Sequence, residues 1–279
     1  MNFSLIQRAF AILLWAVPYL LGLGSASVLA ADNPYCSRPL RIAFFEFGVL
    51  YQSTRDDGID VRLIDAIRKR TGCSFERVVL PRNRIWSELR GGTLDLATGA
   101  IPTAERREYA YLLPYMTTRN LILIRKDSAK QANSLSGFEA SRLRLGAVRG
   151  FKYGATYDGM FERLSSSGRV VEAADTAELF RMLNKGMTDA VISQHIVFPY
   201  YLDQPTLGNF LVQDWAPKDE AVDGALILSR KSFTPEQSRR WDDLLVKLLA
   251  DGTVDKIYRA FVTDAQARDL KYKGKRSPE

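Results

Sequence analysis

The sequence holds a single histidine, His195, and two cysteines, Cys36 and Cys73. A zinc centre built from imidazole and thiolate takes three or four such ligands, so the chain is poorly supplied for one. Any Ser-His-Asp or Cys-His hydrolase scheme would have to run through His195. No Cys-x-x-Cys occurs, which argues against a redox role. No metal and no cofactor is expected. Charge of one sign does not dominate: 39 Lys+Arg face 32 Asp+Glu, a net +7 spread along the chain. That hints at anionic ligands or membrane surfaces more than at a nucleic-acid stripe. What is present is globular: 46% hydrophobic, 25% charged and 11% aromatic residues, which excludes a disordered, collagen-like or disulfide-knot chain. At 279 residues the chain makes one large domain or two lobes of roughly 100 residues each.

The first thirty residues read as an address. Met1–Arg8 carries only positive charge, Ala9–Leu23 is apolar, and small residues run from Gly24 to Ala31. This is the pattern of a secretory signal peptide (1–30). A membrane anchor is the alternative, but the run is shorter than the ~20 residues of a spanning helix, and Pro18 interrupts it. Cleavage would remove Arg8 alone, leaving +7 − 1 = +6. Export changes how the cysteines read. Cys36 and Cys73 each precede a strand-like run, Leu40–Phe45 and Phe75–Leu80. If those strands are parallel neighbours, both thiols lie near one sheet end, and an oxidising compartment favours a bridge. Two buried thiols are the alternative.

Strand and helix signals alternate. Leu63, Ile64 and Ile67 share a helix face stopped by Gly72; Ile85, Trp86 and Leu89 share another, stopped by Gly91-Gly92. Asp95–Ile101, Leu143–Val148 and Ala190–Ile192 read as strands. Asp175 with Glu178 opens a helix, and Thr234-Pro235 opens another through Trp241 and Leu248. Repeated strand–helix units imply an α/β fold with largely parallel sheets. There is an internal echo: Leu89-x-x-Gly92-x-x-Asp95 recurs as Leu183-x-x-Gly186-x-x-Asp189, and Leu40–Ala43 resembles Leu143–Gly146. Either two lobes are built alike, or common helix–Gly–strand junctions recur by chance.

Five stretches together resemble the family 3 extracellular solute-binding proteins, the polar amino-acid type. These are Gly58–Ile67, Leu89–Arg106, Tyr111-x-x-Pro114-Tyr115, Leu145–Gly150 and Leu248–Tyr258. The resemblance implies a two-lobed periplasmic-binding-protein type II fold, with two hinge crossovers and ligand between the lobes. Lobe 1 would span 32–118 and 221–270, lobe 2 119–220, followed by a basic tail, 271–279. It also implies a periplasmic monomer whose partners are a small amino acid or organic anion and a membrane permease or receptor, with no nucleic acid.

Arg106 is the leading site candidate, since the family's matching arginine holds a ligand carboxylate. It follows Thr103, a candidate N-cap, where an anion offsets the poor fit between a cation and a helix N-terminus. Phe47 and Tyr51 are candidates for the family's aromatic wall, with core packing the alternative. Arg84 could reach the cleft or face solvent. Gly99 and Ile101 stand where amino-acid binders carry hydroxyls. Phe151 and Lys152 follow Gly150, and Gln194 stands where an ammonium-binding Asp is common. These departures weaken the expectation of a free α-amino acid, and Arg149, Lys152 and Arg106 together suggest an organic or doubly anionic ligand, with Lys152 facing solvent as the equal alternative. Asp95 and Asp189 are read as turn residues. The functions this supports are a non-catalytic solute-binding protein of an ABC-type uptake system, a chemosensory binding protein, or a cyclohexadienyl-dehydratase-like enzyme with Glu46 as general acid. The basic tail motivates a weaker fourth, an adhesin.

Overall fold

The computed structural model describes residues 33–217 and 221–274. The signal-peptide expectation, Lys275 and Arg276 lie outside the described residues. Ten strands form two five-stranded sheets. They are β1 Leu40–Phe44, β2 Phe75–Val79, β3 Leu96–Ala100, β4 Ala110–Thr118 and β5 Asn120–Arg125. The rest are β6 Leu145–Val148, β7 Val170–Ala173, β8 Ala190–Gln194, β9 Phe210–Gln213 and β10 Val222–Ser229.

The sheet orders are β2-β1-β3-β10-β4 and β7-β6-β8-β5-β9. In each, three strands pair in parallel and the fourth position is antiparallel to both neighbours. The sheets are therefore mixed, and the expectation of largely parallel pairing holds for their first three strands. The reversed strands have one cause. The chain leaves β4 through Arg119 alone and enters β5, and it returns from β9 into β10. Each crossing starts at the facing ends of the two sheets, so the arriving strand must run the other way. The two linkers are tied where Arg119 meets Asp214 at 2.8 Å.

Helices cover the sheets because each presents an apolar stripe. Helix Ile59–Thr71 buries Ile59, Leu63, Ile64 and Ile67 and stops at Gly72 in the left-handed region (φ 72°). Helix Pro235–Ala250 starts on a complete capping box from Thr234 and Gln237. Its Trp241 is 1% exposed and packs edge-on against Phe233, Tyr35 and Phe75. Gly58 requires glycine, because a Cβ there would lie 2.3 Å from the Leu50 carbonyl oxygen. Cys36 and Cys73 form a disulfide beside the paired strands β1 and β2, as the parallel-neighbour argument anticipated. The first residues of the basic tail are not loose: Lys271 bridges Met116 of β4 and pairs with Asp255. Among the described residues no helix is long and apolar enough to cross a membrane.

The echo is structural. The Asp95 carboxylate accepts the Arg41 amide at 2.8 Å, and its own amide donates to the Arg41 carbonyl. Asp189 does the same with Arg144 in the second sheet. Both aspartates lock the start of a central strand to its neighbour, as turn residues.

Candidate functional site

The loops beyond the carboxyl ends of the parallel strands face each other, where open α/β sheets place ligands. From the first lobe, β1 leads into Phe45, Glu46 and Phe47. Helix Arg82–Gly91, opened by Pro81, follows β2. Its inward residues are Arg82, Ile85, Trp86 and Leu89, spaced i, i+3, i+4, i+7. After β3 comes the short helix Ala104–Arg107, capped by Thr103, whose hydroxyl accepts the Arg106 amide at 3.2 Å.

Arg82 and Arg106 are buried, at 4% and 5% exposure. Arg82 donates to the Thr98 carbonyl at 2.9 Å and to the Gly99 carbonyl. Its guanidinium lies 4.0 Å from the Phe45 ring centre and 4.7 Å from that of Trp86. Arg106 donates to the Ile101 carbonyl at 2.7 Å and to the Gly150 carbonyl at 3.4 Å, and lies 3.9 Å over Trp86. Burial pushes Arg82 down to about 9, helped by the charge of Arg106, and pushes Arg106 down to about 10. Both stay cationic at neutral pH. Beneath Gly99, burial raises Asp60 to about 6, against the opposing pull of the Tyr115 hydroxyl and of Arg82.

The second lobe closes on this face. Gly150, at φ 81°, brings its backbone so close to Asn83 that a Cβ would lie 3.1 Å away, and its carbonyl accepts the Trp86 indole N–H at 3.0 Å. Phe151 then wedges edge-on against Phe45 (5.3 Å) and Phe47 (5.2 Å). Tyr153 is fixed by three hydrogen bonds: it receives the Val148 amide, gives its own amide to Asp158, and receives Asn120 on its carbonyl. What remains is a cavity of about 20 Å³, room for a single water. It is bordered by Arg82, Arg106 and Lys152 among charged residues, with Asn120, Gln194 and Tyr153 as polar neighbours. The space between the lobes is thus nearly filled here, with the Phe151 ring across it.

Seven of the expected residues meet at this cavity: Phe47, Gly99, Ile101, Arg106, Phe151, Lys152 and Gln194. Tyr51 does not. It stacks on Phe44 at 5.2 Å and donates to Asp56, so it belongs to the first lobe's core. Arg84 also lies elsewhere: two positions past Arg82 on the helix, it points outward, 62% exposed, and pairs with Glu88 at 2.7 Å. Arg149 pairs with Glu172 and lines no part of the cavity. Sequence reasoning missed Arg82, Trp86, Asn120 and Tyr153. Extending the Ile85–Trp86–Leu89 stripe one turn back would have found Arg82.

A second chamber of about 400 Å³ opens between the lobes on the far side of Phe45 and Arg82, bordered also by Glu46, Pro81, Tyr200 and Tyr201. Glu46 faces this chamber and not Arg106. Its carboxylate accepts the Tyr201 hydroxyl at 2.8 Å and the Ser53 amide at 2.7 Å, while the same hydroxyl accepts the Gly48 amide. Glu46 is therefore a strut of the closed state, away from the arginines.

A two-sheet cleft protein with crossed linkers and a buried arginine in the cleft is a periplasmic-binding-protein fold. The sequence profile of the bacterial extracellular solute-binding proteins, family 3, matches residues 41–264, and the chain belongs to that family. No curated protein matches closely enough to count as a relative. Solved structures with the same fold include an ancestral arginine-binding protein bound to arginine (21% identity, TM-score 0.67, covering 80% of this chain and 97% of that one). A histidine kinase sensor domain similar to periplasmic binding proteins matches at 17% identity and TM-score 0.67, over 81% and 96% of the two chains. The ancestral amino acid-binding protein AncCDT-1, a precursor of cyclohexadienyl dehydratase, matches at 22% identity and TM-score 0.65, over 80% and 94%.

Proposed function

We propose that this protein captures a small carboxylate-bearing solute between its lobes, outside the cytoplasmic membrane, and presents the closed form to an ABC-type permease. In this reading residues 1–30 export the chain, and lobes 32–118 with 221–270 and 119–220 work as a monomer in the periplasm. The observation that carries the reading is Arg106: buried where the lobes meet, its guanidinium bonded among the described residues to two backbone carbonyls, with donors to spare. The disulfide and the family's extracellular description support the location. Solute enters when the lobes part and Phe151 swings off Phe45 and Phe47. Reclosure over bound solute is the signal a permease reads. Asn120, Gln194 and the aromatic rings orient and bury the guest.

Thermal shift against amino acids, small carboxylates and their amides tests this. A binding solute at a hundredfold excess over its dissociation constant adds about 2.7 kcal/mol of stability. Arg106→Ala is expected to abolish that shift while leaving the unliganded protein folded by circular dichroism. Unchanged affinity in this variant would remove Arg106 from the site. Incubation with prephenate or arogenate separates binding from catalysis: product release would make the protein an enzyme.

A further inference from the structure

The charged side chains at the cavity are all of one sign. Arg82, Arg106 and Lys152 border it, and no carboxylate does. Behind the lining, Asp60 holds the Tyr115 hydroxyl under Gly99 and its charge acts on Arg82, while Asp158 holds the Tyr153 amide and its charge acts on Arg106 and Lys152. Two of the cations share one indole, Arg82 and Arg106 both lying over Trp86. Buried charges are ordinarily paired, and like charges repel strongly where water is excluded. Carbonyl dipoles and ring faces soften that repulsion without cancelling it. A guest with one negative charge answers one guanidinium. A guest with an ammonium group brings a further positive charge to a place whose border holds no carboxylate to receive it.

We propose that the cleft selects small dianions without an ammonium group, with Arg82 as a second anion receptor beside Arg106. This rests on the solute-binding reading and narrows it. The chemistry recognised is paired negative oxygen, and dicarboxylates and tetrahedral oxyanions both present it. Neutral donors from Asn120 and Gln194 suit the remaining oxygen atoms. Phe151 leaves its place between the lobes as the dianion enters.

Titration calorimetry on the unaltered protein, at neutral pH and fixed ionic strength, compares matched ligands. Succinate carries two carboxylates, succinamate one, and aspartate adds an ammonium group to succinate. Sulfate and phosphate are run against nitrate to represent the tetrahedral class. The expected result is that succinate binds at least about tenfold tighter than succinamate, a gap of about 1.4 kcal/mol, and tighter than aspartate. Sulfate or phosphate binding that much tighter than nitrate also supports the proposal and fixes the geometry. Arg82→Gln is expected to bring succinate down to the affinity of succinamate while leaving succinamate within about twofold, and Arg82→Lys to restore part of the preference. If the buried substitution prevents folding, the ligand pairs on the unaltered protein decide alone. Equal affinity for succinate and succinamate with no sulfate or phosphate preference, or tighter binding of aspartate, overturns the proposal and leaves solute binding standing. Failure of every anion and every amino acid to bind overturns both.

Discussion

The two lobes share one strand order and one aspartate lock, yet they carry opposite tasks. Position by position, helix Arg82–Gly91 of the first lobe corresponds to helix Thr176–Asn184 of the second. Ile85 matches Leu179, Trp86 matches Phe180, and Leu89 matches Leu183, all buried. At the head of that stripe the first lobe has Arg82 and the second has Thr176, each nearly inaccessible. One framework therefore presents a cation in one copy and a small hydroxyl in the other. The second lobe contributes a ring, amides and Lys152 to the cavity. In the proposed reading, the half with the two buried arginines is the side on which an anion docks, and the other half is the cover.

The comparison also predicts where stability sits. The largest expected difference is covalent, because only the first lobe is cross-linked. Replacing Cys36 and Cys73 with alanine is expected to cost about 3–4 kcal/mol on the chain-entropy account of a loop with sequence separation 37. Urea unfolding measures it, and an unchanged midpoint would remove the first lobe's supposed advantage.

Next comes a pH effect confined to the first lobe. Asp60 has a folded-state pKa raised to about 6, above its ordinary 3.8. A raised carboxyl favours the fold when protonated, so its contribution is present below the unfolded value and lost as pH rises through about 6. Linkage puts that loss at about 2 kcal/mol between pH 4 and 7. Asp60→Asn keeps an acceptor for Tyr115 and is expected to flatten the profile. Parallel profiles for the two proteins would contradict this account.

The aspartate locks differ by a smaller amount. Asp95 takes Arg38 on both oxygens and also the Ser232 hydroxyl, whereas Asp189 has Ser128 beyond the shared backbone contact. Burial works against the Asp95 charge, but its bonds to Arg38, Ser232 and the Arg41 amide outweigh that and hold its pKa low. Asp95→Ala is expected to cost about 3 kcal/mol and Asp189→Ala about 1–2. Reversal of that order by denaturant unfolding would show that the additional bonds to Arg38 and Ser232 do not make the Asp95 lock the stronger one.

The smallest effect concerns closure. Tyr201→Phe removes the hydroxyl that joins Glu46 and Gly48 to the second lobe. It is expected to cost about 1 kcal/mol and to enlarge the open population in small-angle scattering.

Much of the frame was legible because helix stripes and glycine stops are local signals. The helix bounded by Gly72, the Asp95 and Asp189 locks and the bridge between Cys36 and Cys73 all follow from short-range pattern plus one pairing assumption. Strand direction was not legible, since periodicity carries no sense of travel; β5 and β10 are reversed because of where the chain crosses. Arg82 was missed because a cation after proline reads as surface. It is buried by Phe45 and by the Thr98 and Gly99 carbonyls, partners brought together only by the sheet. Tyr51, a candidate for the family's aromatic wall, and Arg84, open between cleft and solvent, both took the alternative, core and surface. One or two residues along a turn are enough to send a side chain to the opposite side.

The position of β10 has a consequence for how the molecule is made. It lies between β3 and β4, yet among the described residues it is the last strand. A polypeptide emerging from its amino end holds β4 without a neighbour until some hundred further residues have appeared. The second lobe, contiguous from β5 to β9, is free to mature during that interval. The half that holds Arg82 and Arg106 is thus begun first and completed last.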